Sequence, residues 1–70
     1  MKNYLIIIEK SENGYGAYAP DIEGCGAVGR TQEEAKHNLI EALKMHIDGL
    51  KEDNLPIPEP SALYDYAKLA

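Results

Sequence analysis

Thr31-Gln32-Glu33-Glu34 divides the chain in two and limits what each part can become. The S/T-x-x-E spacing is a capping box: the Thr31 hydroxyl accepts from the backbone N–H of Glu34, and the Glu34 carboxylate reaches back to the N–H of Thr31. A helix therefore starts here. Beyond it Ala35, Leu39, Ala42, Leu43, His46, Ile47 and Leu50 recur at helical spacing, while Glu33, Lys36, Glu41, Lys44, Asp48 and Lys51 are mostly left to solvent. About twenty residues make a rod of roughly 30 Å. Gly49 weakens its last turn, and Asn54 followed by Pro56 ends it. Only the residues ahead of Thr31 remain to build the layer against which that rod packs.

Those residues read as strands. Tyr4-Leu5-Ile6-Ile7-Ile8 is apolar and β-branched, and Asn13-Gly14 carries the signature of a two-residue hairpin loop returning into Tyr15 to Ala19. With Asn13 and Gly14 as the loop, Ile8 faces Ala19 and Lys10 faces Ala17. Ile6, Ile8, Tyr15, Ala17 and Ala19 then share one side, and Leu5, Ile7 and Tyr18 the other. Pro20 ends the pairing because it has no N–H to donate. After the Asp21-Ile22-Glu23-Gly24 corner, Cys25 to Gly29 supplies a short third strand. The expected fold is α+β, a three-stranded antiparallel sheet with one long helix on one face in the order β-β-β-α, as a single domain over residues 1–70. Residues 55–61, with Pro56, Pro58 and Pro60, are extended and stiff. The tail from Ser61 reads equally as a Ser-capped helix or an edge strand.

Gly24, Gly26 and Gly29 spell G-x-G-x-x-G, the dinucleotide fingerprint, but the context is wrong for it. Such a site needs a buried strand feeding straight into the glycines and the third glycine inside the opening helix. Here Pro20 and Asp21 precede the motif, and the helix opens two residues after it. The glycines serve turns and a bend.

Other chemistry is equally poorly supplied. Cys25 is the only cysteine, so neither an intrachain disulfide nor a thiolate zinc cluster can form; it reads as a small apolar filler, and a reducing cytoplasm suits it. His37 and His46 are nine residues apart on one helix, hence on opposite faces. His37 reads as surface and His46 as part of the apolar stripe. Glu9, Asp21 and Glu23 are the only carboxylates near the sheet that could hold a cation pair, and hairpin-end or Asx-turn roles account for Glu9 and Asp21 better. No metal, cofactor or catalytic residue is expected. The formal charge of −5 opposes unaided nucleic-acid binding and favours a basic partner. The first apolar run is too short for a membrane span.

One helix can cover only one face of a sheet. Ala17 and Ala19 let it approach closely on their side. The other side, with Leu5, Ile7 and Tyr18 and the corner Pro20, Asp21, Ile22, Gly24 and Cys25, is left as an apolar patch available for binding. Leu63, Tyr64, Tyr66 and Leu69 of the tail offer an alternative cover.

The ordered stretches "YLIIIEK", "GYGAYAPDIEGCGAVGRTQEEA" and "NLIEALKMHIDGLKEDNLPIPEPS" resemble the HicB family of antitoxins over residues 3–61. The most specific parts are the aromatic-x-Pro-Asp-x-x-Gly-Cys corner from Tyr18 to Cys25 and the helix followed by Ile57-Pro58-Glu59-Pro60-Ser61. The resemblance implies a trimmed ribonuclease H-like β-β-β-α-β domain, with the tail as a fourth strand. It also implies a non-catalytic role: binding a HicA-type toxin, a small basic RNA-cleaving protein, and covering its active site. Homo-oligomers are expected. Many family members add a C-terminal DNA-binding domain, and none is expected within these 70 residues. A minimal metal-dependent nuclease using Glu9 and Asp21, and an orphaned self-associating domain, are the competing readings.

Overall fold

The computed structural model describes residues 2–69. Strands β1 (Ile7–Ser11), β2 (Gly14–Tyr18) and β3 (Gly26–Gly29) precede helix α1 (Gln32–Glu52). The sheet is antiparallel throughout, in the order β1-β2-β3. This is the expected β-β-β-α layer.

The hairpin register differs from expectation by two residues. Ser11 closes onto Gly14, Lys10 pairs with Tyr15, and Ile8 pairs with Ala17 rather than Ala19. Glu12 and Asn13 are the loop, and the unusual backbone angle falls on Gly14, at φ 153°, instead of on Asn13. Because side chains alternate with period two, a slip of two leaves every residue on its expected face. Ile6, Ile8, Tyr15, Ala17, Cys25 and Ala27 accordingly gather under Ala35, Leu39 and Leu43 of the helix. Ala35 and Leu39 are wholly buried.

Both helix ends follow from local chemistry. Thr31 is the N-cap, its hydroxyl accepting from Glu34 N–H at 3.0 Å. The return bond goes one residue further than a capping box prescribes: Glu34 Oε1 accepts from Arg30 N–H at 2.8 Å. Gly29 lies against this first turn, where a Cβ would come within 2.5 Å of Ala35 N. At the other end Asn54 adopts left-handed φ 54°, Asn54 N–H donates to Lys51 O and Leu55 N–H to Leu50 O, the paired bonds of a Schellman motif.

His46 is exposed, not part of the buried stripe as its spacing suggested. The apolar arc on the helix is narrower than the sequence pattern, because a four-residue β3 and small alanines offer little width to cover it. Residues 55–69 contain neither strand nor helix, so the tail is not the fourth strand that the resemblance implied. No helix among the described residues is long and apolar enough to cross a membrane.

Candidate interaction surface

On the sheet face away from α1, Ile7, Tyr18 and Gly26 stand opposite one another, and Glu9, Gly16 and Val28 form the next row. No helix lies over them. Tyr18 is 40% and Val28 75% exposed. The two glycines leave the rows shallow, so a partner can approach the backbone closely. Glu9 is the only charged side chain that the three strands place on this face; Lys10, one residue on, belongs to the helix side.

The connection from β2 to β3 forms the rim. Ile22 N–H donates to Ala19 O at 3.1 Å, a β-turn in which Pro20 takes the position its fixed φ favours. Gly24 follows at φ 74°, a left-handed conformation that asks for glycine. The result is a concave corner of about 420 Å³ lined by Tyr18, Pro20, Ile22, Gly24 and Cys25 among others. Five of the eight residues singled out from the sequence therefore meet in one depression. Their roles differ: Pro20 and Gly24 are exposed, while Ile22, at 2% exposure, and Cys25, packed on the core, support the corner from beneath. Leu5 and Ile7 are half-buried along β1 and the segment leading into it.

Asp21 does something else. Its Oδ2 accepts from the backbone N–H groups of Ser61 and Ala62, at 3.0 and 3.1 Å, and its Oδ1 accepts from the Ser61 hydroxyl at 3.0 Å. These bonds, the Ala62 N–H foremost, hold its carboxyl below the ordinary value of 3.8. Both oxygens are thus engaged in anchoring the tail. Among the described residues no three His, Cys, Asp or Glu side chains converge as a metal site would require.

Two further features lay outside the sequence reading. Val28 is the most exposed apolar side chain on the open face; alternation along Cys25–Gly29 could have placed it there had that strand's register been assigned. The second is a groove of about 660 Å³ on the helix side, floored by Ile40, Leu43, Ile47 and Ile57 and flanked by Lys44, Asp48 and Lys51. Tyr4 Oη–H donates to Pro58 O, and Lys2 pairs with Glu59, tying the N-terminal segment to the proline segment along this groove. Past the clamp, Leu63, Tyr64, Tyr66 and Leu69 are 74–94% exposed and cover neither the sheet nor the groove.

A family model described as the HicB-like antitoxin of bacterial toxin–antitoxin systems matches residues 4–69. An uncharacterised 14.9 kDa protein of Haemophilus phage HP1 is 40% identical over 63 residues, which are 90% of this chain and 47% of that protein. The chain thus spans about half the length of that relative. A UPF0150 protein of Thermoplasma acidophilum is 40% identical over 60 residues, 84% of this chain and 87% of that one. Among solved structures, a chain of the HicA3 and HicB3 toxin-antitoxin complex superposes with a TM-score of 0.69 at 37% identity, covering 84% of this chain and 69% of that chain.

Proposed function

The chain belongs to the HicB-like antitoxin family of bacterial toxin–antitoxin systems, and from that premise we propose that it is a non-catalytic binding module that neutralises a small basic HicA-type ribonuclease by covering its active site. The observation that carries this reading is the uncovered sheet face, where Ile7, Tyr18 and Val28 present apolar area next to Glu9 and the corner's Glu23, with no basic side chain on the strands' outer face. Apolar anchors within an acidic setting suit a cationic partner: the anchors supply affinity and the charge supplies orientation and encounter rate. The solved relative comes from a complex of the corresponding toxin and antitoxin. In this reading Tyr18, Val28, Pro20 and Gly24 meet the toxin, Leu5 and Ile7 extend the contact along β1, and Ile22 and Cys25 hold the corner in shape. Asp21 contributes by fixing the segment beside it.

The test is growth rescue and co-purification on co-expression with a HicA-type toxin paired to this chain. Wild type should rescue, and Val28→Lys and Tyr18→Ala should not, while both variants keep the wild-type circular dichroism. Rescue that survives both substitutions would move the contact off this face. Failure of the wild type to bind or rescue would overturn the antitoxin reading itself.

A further inference from the structure

Charge is spread unevenly over this acidic chain. Three of its seven Lys and Arg residues, Lys2, Lys44 and Lys51, line the helix-side groove of about 660 Å³, against one of its twelve Asp and Glu residues, Asp48. A locally basic cleft on a molecule of net charge −5 draws anions to itself and away from the rest of the surface. Its floor is apolar. Ile40, Leu43 and Ile47 stand at i, i+3 and i+7 on α1, and Ile57 of the proline segment forms the second wall. That wall is fixed in advance, because the Tyr4 hydroxyl donates to Pro58 O and Lys2 pairs with Glu59. A preformed groove loses little affinity to ordering.

The geometry points to a small-molecule site for a free alkyl carboxylate, its chain lying along Ile40, Leu43 and Ile47 and its head meeting the ammonium of Lys51. Lys44 is engaged with Glu41 at 3.3 Å and Lys2 with Glu59, whereas among the described residues Lys51 has no carboxylate partner. Lys51 follows Ile40 by eleven residues, three turns on, so floor and head group share one helix face about 16 Å long. The volume falls within the roughly 300–1,000 Å³ of small-molecule sites, which likewise combine an apolar lining with a few polar groups. One unpaired ammonium matches one carboxylate. A polyanion such as a nucleotide would leave the isoleucine floor uncovered, and an anionic bilayer is repelled by the net charge of −5. A free acid meets neither objection. Nothing in this depends on a toxin, because the groove lies on the helix side and the open sheet face points away from the helix.

Two-dimensional amide NMR of the full chain, titrated at neutral pH with decanoate below its micelle concentration, reads the site directly. The amides of Ile40, Leu43, Ile47, Lys51 and Ile57 should shift saturably, and those of Tyr18 and Val28 should stay in place. Octanoate, two methylenes shorter, should bind about tenfold more weakly. Decanol, with the same chain and no charge, should also bind about tenfold more weakly. Lys51→Gln should bring decanoate down to the affinity of decanol and leave decanol unchanged, whereas Ile40→Gln should weaken both, each variant keeping the wild-type circular dichroism. Vesicles of anionic phospholipid should leave the spectrum as it was. The absence of a saturable shift overturns the inference. So does decanoate binding indifferent to chain length or to Lys51→Gln. Groove shifts produced by vesicles but not by decanoate would assign the cleft to a membrane surface, and groove shifts produced by protein concentration alone would assign it to another copy; either result overturns the inference as well.

Discussion

Asp21 shows how far a residue's role can lie from its sequence neighbourhood. Its position after Pro20 reads as a local turn-former at the corner, and the corner is indeed where it sits. Its three hydrogen bonds, however, come from residues forty and forty-one positions later. No periodicity or spacing announces a carboxylate that accepts backbone N–H bonds from a distant, irregular segment. Because the folded-state pKa is depressed, the clamp is complete above the ordinary value of 3.8 and is lost as pH falls through the lower folded value. Amide exchange at Ser61 and Ala62 should therefore accelerate selectively on acidification below 3.8, before the β1–β2 amides follow. Asp21→Asn should leave those two amides fast at neutral pH and remove the acid step. Equal protection in the variant and the wild type would show that the prolines alone hold the segment.

At the scale of elements, the helix and its cap were legible because they rest on local rules. Thr31 to Glu34 specifies its own hydrogen bond, and the Ala35–Leu39–Leu43 stripe names the buried side. The sheet faces were legible for a different reason: they depend only on parity, so a loop misplaced by one position at each end moved the pairs without turning any side chain over. The width of the core was not legible. His46 continues the helical spacing yet stands in solvent, because what a helix buries is set by the breadth of the layer beneath it, and no pattern within the helix encodes that. The tail failed for a related reason: it joins no ladder, and what fixes its start is the distant Asp21 carboxylate on Ser61 and Ala62, which no local pattern announces. The energetics of cap and core should separate cleanly. Thr31→Ala should cost about 1 kcal/mol, the worth of an N-cap, whereas Leu39→Ala, emptying a wholly buried site, should cost about 2–5 kcal/mol and leave a small domain largely unfolded in urea titrations. Similar costs for the two would mean that the core relaxes around the lost side chain.

For the whole molecule, the division of labour between charge and apolar area is the decisive property. A chain of net charge −5 attracts a basic partner over distances comparable to the Debye length, and that attraction acts on encounter. In the proposed reading the contact once formed depends on the few side chains that exclude water, Tyr18 and Val28, which stand exposed on a face flattened by Gly16 and Gly26. The two contributions predict different kinetic signatures for binding a HicA-type toxin. Raising salt from about 0.05 to 0.5 M, which shortens the screening length roughly threefold, should slow association by an order of magnitude or more and change dissociation little. Val28→Ala should do the reverse, leaving association near wild type and speeding dissociation about tenfold, since truncating a central apolar anchor acts on the bound state. Stopped-flow or surface-based kinetics at two salt concentrations separates them. An association rate indifferent to salt would remove charge from the account of partner choice. A Val28→Ala variant that dissociated like wild type would show that the toxin leaves the open face untouched, and would make the acidic surface elsewhere on the molecule the place to look for its contact.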